Sequence, residues 1–302
     1  MRRFAIAGLQ LELSKKDNLD QLEGEISAVK ARFPWVDMVV CGELAAFGAG
    51  VDDAQPMPGP AEQRLRKVAR DNGIWLIPGS LYESDGARVY NTAPVIDPDG
   101  TVVARYRKMF PFLPYEQGVA AGSDFVTFDV PSVGRFGVSI CYDSWFPETT
   151  RTLAWQGAEV IIHPTMTNTI DRDVEIAIAR ANAATNQCYF VDINVAGKLG
   201  FGRSVICGPG GEVIHQAGTT REIIAVELDL DQVKAARERG WHGLGQVMKS
   251  FRDSDVEFPA HRADAESDAM RALGPLRKPV SQRDEIQDPA TKSGSHLRIA
   301  KT

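Results

Sequence analysis

Cys141 stands where a thiol nucleophile would be favoured. It directly follows the apolar run Phe136–Ile140, a predicted strand, and it precedes a predicted helix start. Pro147 falls in the first turn of that helix, with Asp143 or Ser144 as its N-cap. The backbone N–H groups and the dipole of a helix start favour a thiolate, although a single free cysteine is more commonly a core residue. The position therefore indicates a candidate nucleophile that needs partners.

A carboxylate and an ammonium group follow two other predicted strands. Glu43 comes two residues after Val36–Cys41, and Lys108 directly follows Thr101–Arg107. Taken singly, the first is typical of a turn or cap and the second of a solvated charge. Together with Cys141 they supply a nucleophile, a base and a fixed cation, which is the set that acyl transfer through a thioester requires.

Further short motifs surround these three residues in a fixed order along residues 4–240. They are Tyr106-Arg107-Lys108, Cys141-Tyr142-Asp143, Phe146-Pro147-Glu148, His163-Pro164-Thr165, Ala179-Arg180-Ala181, Asn194 to Gly197, Gly202-Arg203-Ser204 and Gly208-Pro209-Gly210-Gly211. The ordered set resembles the Glu-Lys-Cys pattern of the nitrilase, or carbon–nitrogen hydrolase, superfamily, in its amidase-like branch. Glu116 matches the additional glutamate that this superfamily carries after its lysine.

The resemblance implies hydrolysis of a non-peptide carbon–nitrogen bond through a thioester on Cys141. Glu43 would act as general base and then as general acid, releasing ammonia or an amine and leaving a carboxylic acid as the second product. The ammonium group of Lys108 and the backbone N–H of Tyr142 would hold the oxyanion. Glu116 would orient Lys108 or the attacking water.

The substrate class stays open between several alternatives. Tyr142-Asp143 after the cysteine is similar to amidases, whereas nitrilases proper usually have Trp-Glu there. Ser144 and Trp145 occupy the positions where carbamoylases of amino acids place arginines, yet the run over 141–148 also resembles carbamoyl-amine hydrolases. The preferred prediction is an amidase acting on linear amides, the first alternative is an N-carbamoyl-amine amidohydrolase, and a nitrilase or a non-catalytic binding homologue follow.

Several other side chains near these motifs are candidates for binding the substrate. Thr165 and Asn194 can each hydrogen-bond a substrate or simply cap a strand end. Apolar pocket walls are predicted from a set of residues for which ordinary packing is the alternative, namely Phe47, Phe112, Tyr115, Trp145 and Met166.

Two positions depart from the commonest superfamily pattern. Gly42 precedes the glutamate where proline is frequent, and Phe110 stands where many members have histidine. Neither change removes a catalytic group. Both can reshape the pocket, so they bear on the substrate more than on the chemistry.

Apolar runs alternate with amphipathic segments, which predicts an α/β fold with two sheets and outer helices. The predicted helices cover 18–33, 61–72, 147–157, 171–186 and 230–239. A single strand is predicted over 74–82, and a late antiparallel run of three strands between 203 and 228. The superfamily resemblance implies an α-β-β-α sandwich that pairs into a four-layer α-β-β-α-α-β-β-α homodimer.

Composition shifts near Arg252, where prolines and charges crowd together and the apolar periodicity fades. The sequence therefore predicts a carbon–nitrogen hydrolase domain over 1–252. Residues 253–302 are predicted to form a C-terminal tail, extended or crossing to the partner of a dimer.

Charge and cysteine usage exclude several function classes. The 302 residues include 34 basic and 40 acidic side chains, a net charge of −6, and no basic block, so a nucleic-acid partner is not expected. The four cysteines form no CxxC pair and the five histidines show no metal-ligand spacing, so neither a metal nor another cofactor is predicted. Free thiols, no apolar run of membrane length and no secretory signal predict a cytoplasmic protein whose partners are a small amide substrate and its own copies.

Overall fold

The computed structural model describes residues 1–262 and 264–278. The chain forms two units, one of Met1–Pro111 with Gly118–Val256 and one of Phe112–Gln117 with the chain from Glu257 onwards. The predicted division at residue 252 stays a prediction, and residues 279–302 of the predicted tail lie outside the described residues. Among the described helices, none is long and apolar enough to cross a membrane.

The elements follow the alternating order that the sequence predicts. The strands of the described residues are β1 Arg3–Gln10, β2 Met38–Cys41, β3 Gln55–Pro56, β4 Trp75–Ile77, β5 Leu81–Asp85, β6 Arg88–Ile96, β7 Val102–Arg107, β8 Val126–Val130, β9 Gly134–Val138, β10 Val160–Thr165, β11 Tyr189–Asn194, β12 Val205–Cys207, β13 Val213–Gln216 and β14 Glu222–Asp229. The helices are α1 Leu19–Arg32, α2 Pro60–Asn72, α3 Pro147–Trp155, α4 Asp171–Asn186, α5 Leu230–Arg239, α6 Val247–Arg252 and α7 Asp268–Arg271.

The strands of the first unit form two sheets. One has the order β14-β1-β2-β4-β6-β5-β3, with β7 paired to β6, and the other has the order β13-β12-β11-β10-β9-β8. In the first sheet β1, β2 and β4 are parallel, and in the second β9, β10 and β11 are parallel. The carboxyl ends of neighbouring parallel strands therefore meet at one edge of each sheet, where ligands of α/β proteins commonly bind.

Alternation along the strands separates the core into layers. On β1, Phe4 and Ile6 belong to the apolar cluster that contains residues of both sheets, whereas Ala7 and Leu9 belong to the cluster under α1 and α2. Phe136 of the second sheet packs edge-on against Phe4, with ring centroids 5.2 Å apart. Side chains of a strand point alternately to its two faces, so one strand contributes to two layers of the core.

Helices cover the outer face of each sheet. Leu22 of α1 and Leu65 of α2 pack in one cluster with Val39 of β2. Leu153 of α3 shares a separate cluster with Phe190 of β11, which α4 also joins. The predicted α-β-β-α sandwich is thereby confirmed.

Two strand predictions were wrong, one in the number of strands and the other in the strand's partner. Residues 74–82 form two strands, β4 and β5, which both pair with β6 and not with each other. The last strand, β14, pairs along its whole length with β1 in the first sheet, and not with β12 or β13 as the predicted antiparallel run required. Alternation of apolar residues reports which residues share a face, but it does not report which sheet a strand joins.

Close backbone contact fixes the loop that carries Glu43. Gly79 has φ +82° and packs against the preceding loop so tightly that an added Cβ would lie 1.8 Å from the carbonyl oxygen of Gly42. The hydroxyl of Ser80 accepts a hydrogen bond from the N–H of Leu44 at 3.0 Å. The loops after β2 and β4 therefore hold each other in place on both sides of Glu43.

We expect Gly79→Ala to destabilise the fold far more than Gly86→Ala. Both glycines have positive φ, but a Cβ at Gly86 meets nothing within 4 Å. Gly86→Ala should lower the free energy of unfolding by about 1–2 kcal/mol, the strain of a left-handed residue alone. Gly79→Ala should cost at least about 3 kcal/mol because backbone must move. Denaturant unfolding checks both values, and equal losses would contradict the steric argument.

Candidate active site

A buried ion pair joins two of the predicted catalytic residues. The Nζ of Lys108 donates to Oε1 of Glu43 at 2.7 Å, and the two side chains are only 1% and 3% exposed. The side-chain amide of Asn91 donates to the same carboxylate oxygen at 2.9 Å. Two buried charges need further hydrogen bonds to offset their lost hydration, so this pair has a tightly determined geometry.

Backbone hydrogen bonds at the strand ends set the position of each partner. The N–H of Glu43 donates to the carbonyl of Thr165 at 3.1 Å, which ties the loop after β2 to the end of β10 in the other sheet. The N–H of Lys108 donates to the carbonyl of Asn91 at 2.8 Å, which extends the β6–β7 ladder by one residue. Sequence reasoning missed Asn91, because the register of the β6–β7 hairpin shifts between Val95 and Ile96. A regular ladder continued from the pair of Ile96 and Val102 would have placed Tyr90 opposite Lys108.

The nucleophile candidate occupies a strained backbone position. Cys141 has φ +46° and begins a short 3-10 turn that extends to Trp145. The predicted N-cap was wrong, since α3 has Phe146 as its N-cap and Pro147 as its first residue. A left-handed conformation costs a non-glycine residue about 1–2 kcal/mol, and such strain clusters at functional sites because surrounding contacts must maintain it. The thiol therefore lies at the start of a 3-10 turn, without the dipole of a long helix.

Asp143 connects the segment that carries Lys108 to the turn that carries Cys141. Its Oδ2 accepts from the hydroxyl of Tyr106 at 2.6 Å and from the N–H of Ile140 at 2.9 Å. Its Oδ1 accepts from the N–H of Phe110 at 2.9 Å. Burial raises the pKa of Asp143 to about 6, against the opposing effect of these hydrogen bonds. This carboxyl group therefore links the two segments through hydrogen bonds.

The charges around the thiol favour its protonated form. Burial is the largest cause that raises the pKa of Cys141 well above its ordinary value, and the carboxylate of Glu43 raises it further. The ammonium group of Lys108 acts in the opposite direction. The thiol is therefore protonated at neutral pH and needs a neighbouring base before it can act as a nucleophile.

A second polar cluster near the thiol was not predicted. The hydroxyl of Thr167 lies 3.8 Å from Sγ of Cys141 and donates to Oε1 of Glu175 at 2.9 Å. Arg172, only 1% exposed, binds both Glu175 at 3.2 Å and Asp192 at 2.9 Å. Thr167 follows β10 by two residues, as Glu43 follows β2, so the strand-end pattern could have indicated it.

The side-chain amide of Asn194 positions Thr167 by binding the backbone of Thr167. Oδ1 of Asn194 accepts from the N–H of Thr167 at 2.9 Å, and Nδ2 donates to the carbonyls of Thr167 at 3.1 Å and Gly202 at 2.8 Å. Thr165 contributes its carbonyl to Glu43, while its buried hydroxyl has no hydrogen bond among the described residues. Direct contact of either residue with a substrate stays a prediction.

Aromatic rings pack beside the nucleophile turn. Phe110 stacks on Phe146 with ring centroids 3.6 Å apart and planes 11° apart. The ring of Tyr142 lies 5.3 Å from Phe146 and 6.2 Å from Trp145. The phenylalanine at position 110 thus has a packing partner in this chain, in keeping with an apolar wall there.

The remaining candidates are placed as follows. In the second unit, a carboxylate oxygen of Glu116 accepts from the N–H of Phe112 at 2.5 Å, and the ring of Tyr115 stacks 5.0 Å from that of Phe112. Phe47 packs against the core under α1 and α2, and Met166 packs in a separate small cluster. The substrate-binding or catalytic roles of these residues stay predictions. Within residues 1–262 and 264–278, no three acidic, histidine or cysteine side chains are grouped to hold a metal ion.

We expect Asp143→Asn to change how stability depends on pH. In the native protein the pKa of Asp143 is raised from 3.8 to about 6, so the folded state binds the proton more tightly than the unfolded state. Its contribution to the free energy of unfolding therefore falls as pH rises from about 4 to 6. The variant lacks this decline, so its stability relative to wild type should rise by about 2–3 kcal/mol across that interval in denaturant unfolding.

His163→Gln serves as the control of opposite sign. Burial lowers the pKa of His163 from 6.5 to about 4, so its native contribution to stability is complete above pH 6.5 and is lost as pH falls toward 4. The stability of this variant relative to wild type should therefore fall as pH rises over the same range. Parallel pH curves for Asp143→Asn and wild type would contradict the assignment of the raised pKa.

Proteins of known structure and function resemble this chain over most of its length. A human protein named omega-amidase NIT2 is 30% identical over 259 residues, which covers 79% of this chain and 93% of that protein. Nit3 from Saccharomyces cerevisiae, described as a member of branch 10 of the nitrilase superfamily, matches with a TM-score of 0.72 and 28% identity over 78% of this chain and 94% of its own. A mutant of an amidase from Nesterenkonia sp. AN1, with acrylamide added at its active-site cysteine, matches with a TM-score of 0.69 and 25% identity over 78% of this chain and 97% of its own.

The family model described as carbon-nitrogen hydrolase matches residues 3–238. That range includes both sheets and the three strand ends that carry Glu43, Lys108 and Cys141. The expected superfamily is therefore confirmed by sequence and by structure, and this chain belongs to the carbon–nitrogen hydrolase family.

Proposed function

We propose that this protein hydrolyses linear amides, releasing ammonia and a carboxylic acid through a thioester on Cys141. The observation that carries the proposal is the buried pair of Glu43 and Lys108, 2.7 Å apart, whose charges both act on the Cys141 thiol. The similar human protein is named an omega-amidase, and the similar Nesterenkonia enzyme is an amidase with a modified active-site cysteine. Both names support an amide as the substrate.

The first half of the reaction forms the thioester. Glu43 takes the proton from Sγ of Cys141, and the thiolate attacks the carbonyl carbon of the amide, moving the C=O electron pair onto oxygen. The ammonium group of Lys108 and the backbone N–H of Tyr142 hold the resulting oxyanion. Glu43 then gives its proton to the leaving nitrogen, so the C–N bond breaks and ammonia departs.

The second half returns the enzyme to its starting state. Glu43 removes a proton from water, and the hydroxide attacks the thioester carbon to form a second oxyanion at the same donors. Collapse of this intermediate breaks the C–S bond, releases the carboxylic acid and leaves Cys141 to recover its proton from Glu43. Glu116 has the role of orienting Lys108 or the water in this proposal, on the superfamily resemblance alone.

An N-carbamoyl amine is the second candidate substrate. Ser144 donates its hydroxyl hydrogen bond to the carbonyl of Cys141 at 3.0 Å, and Trp145 packs beside Tyr142, so neither position offers a cation for a substrate carboxylate. The aromatic rings of Phe110 and Phe146 beside the turn suit an apolar group. These observations favour a carbamoyl amine over a carbamoyl amino acid.

Cys141→Ala should abolish ammonia release, because the proposed thioester forms on the sulfur of Cys141. The assay compares short aliphatic amides, an ω-amido acid, an N-carbamoyl amine, an N-carbamoyl amino acid and a nitrile. Cys188→Ala is the matched control, since Cys188 is a buried thiol in the core between α3, α4 and their sheet. This variant should still release ammonia. Release from carbamoyl compounds alone would favour the second candidate. Silence on every compound would favour a non-catalytic homologue, and equal release from Cys141→Ala would overturn the mechanism.

Lys108→Ala should lower kcat at least about a hundredfold, since removal of one oxyanion donor typically costs about 3–4 kcal/mol of transition-state stabilisation. The variant also removes the cation that pairs with Glu43, so thermal unfolding must first show that the protein is folded. Lys67→Ala is the control, because that lysine pairs with Asp71 on the surface. Undiminished turnover in folded Lys108→Ala would refute the role of Lys108.

Assembly and compartment are part of the proposal. The superfamily resemblance supports a homodimer or higher homo-oligomer with four layers. Exposed apolar side chains at Trp155, Leu244 and Val247 support a contact surface in the first unit. Four buried free cysteines support a reducing compartment such as the cytoplasm.

A further inference from the structure

A second buried carboxylate reaches the nucleophile through one intervening side chain. Thr167 is 7% exposed and Glu175 is 6% exposed, and the threonine hydroxyl donates to the carboxylate at 2.9 Å. A hydroxyl has one proton and two lone pairs, so the proton committed to Glu175 leaves only acceptor capacity for other partners. The contact of 3.8 Å between Oγ1 of Thr167 and Sγ of Cys141 is then a hydrogen bond donated by the thiol.

The fold holds Thr167 in this orientation by its backbone. The amide of Asn194 binds both the N–H and the carbonyl of Thr167, at 2.9 and 3.1 Å. The N–H of Phe201 donates to the same carbonyl at 2.9 Å. With the backbone fixed on both sides and the hydroxyl fixed by Glu175, the acceptor oxygen has a defined place beside the sulfur.

The charges of this cluster do not balance. Glu175 and Asp192 share one cation, Arg172, whose Nη1 lies 3.2 and 2.9 Å from the two carboxylates. All three side chains are buried. When both carboxylates are ionised, the cluster carries one excess negative charge. The carboxylate nearer the sulfur is that of Glu175, and its charge opposes ionisation of the thiol. Replacing Glu175 with a neutral residue would leave the pair of Arg172 and Asp192 balanced.

We propose that Glu175, acting through Thr167, is a positioning residue that keeps Cys141 as a thiol in the free enzyme, with its S–H directed at Thr167. No bond changes in this state. When an amide binds, the S–H turns to Glu43, which then takes the proton. The arrangement protects the sulfur from alkylation and oxidation between turnovers, since thiolates are the reactive form. It rests on the proposed role of Cys141 as the nucleophile and extends that site.

The charged groups that act on the sulfur come from two strand ends and one helix. Glu43 and Glu175 oppose formation of the thiolate, and Lys108 favours it. Burial raises the pKa of Glu175, the neighbouring Arg172 opposes this rise, and Asp192 adds to it. Substitution of Glu175 with glutamine removes one of the two opposing carboxylates, while its amide oxygen can still accept from the Thr167 hydroxyl.

Alkylation of the free enzyme tests the proposal without any substrate. The rate of reaction of Cys141 with methyl vinyl sulfone, an alkylating agent without a carbon–nitrogen bond, is measured against pH, with peptide mass spectrometry reporting modification of this cysteine alone. Glu175→Gln should lower the apparent pKa of the thiol by about one, so alkylation at pH 7 should be about tenfold faster. Thr167→Val should also lower it, because the acceptor of the S–H is lost, whereas Thr167→Ser keeps the hydroxyl and should match wild type.

Asp192→Asn is the matched control for charge. It removes one carboxylate from the same cluster, but Asp192 binds Arg172 and not Thr167, so the alkylation profile should stay close to that of wild type. An equal shift in Asp192→Asn and Glu175→Gln would reduce the effect to bulk charge and overturn the role of Thr167. An unchanged or raised pKa in folded Glu175→Gln or Thr167→Val would also overturn the proposal.

The two threonine variants keep the test decisive if Glu175→Gln does not fold. Thr167→Val and Thr167→Ser differ by the hydroxyl that the proposal requires, so identical alkylation profiles would overturn it. Amide hydrolysis is measured separately on the same proteins. If the proteins hydrolyse amides but the thiol pKa does not shift as predicted, only this inference is contradicted. If the thiol pKa shifts but no amide is hydrolysed, only the proposed substrate is contradicted.

Discussion

The buried ion pair between Lys108 and Glu43 is the constraint around which the first unit is organised. Two charges with side chains no more than 3% exposed lose most of their hydration, and one contact of 2.7 Å does not by itself compensate for it. The amide of Asn91 supplies a further hydrogen bond, which requires the β6–β7 hairpin to keep its register. The backbone of Glu43 must also reach the end of β10, so the two sheets must meet in one relative position.

Other buried polar groups transmit this constraint to the sulfur. Asp143 accepts three hydrogen bonds from two separate segments and thereby fixes the turn that begins at Cys141 relative to the residues after Lys108. Contacts of this kind also maintain the left-handed backbone of Cys141, which local preference would not select. In a low-dielectric interior such networks define one geometry, since each unpaired group would be costly.

Much of this architecture follows from local sequence patterns. The bounds of α4 and α5 agree with the prediction, and α2 ends where Gly73 takes a left-handed conformation and caps the last carbonyls. Strand pairing was less accessible, because β14 pairs with β1 and β4 pairs with β2, strands that lie far away along the chain. The N-cap was misassigned for a related reason: Asp143 uses its carboxylate on Ile140 and Phe110, which are contacts of the folded site and not of a helix start.

The sequence by itself determined the two-sheet class, the outer helices and the three chemically distinct residues that follow strands, since periodicity and residue type are local properties. Only the tertiary structure decided that Lys108 and Glu43 are paired in the interior and that Asn91 joins them. Only the tertiary structure brings Thr167 and Glu175 close to the sulfur and lets the Asn194 side chain bind the backbone of Thr167. Spacing along a chain does not report which loops of two facing sheets meet, and the ionisation of a buried group depends on that meeting.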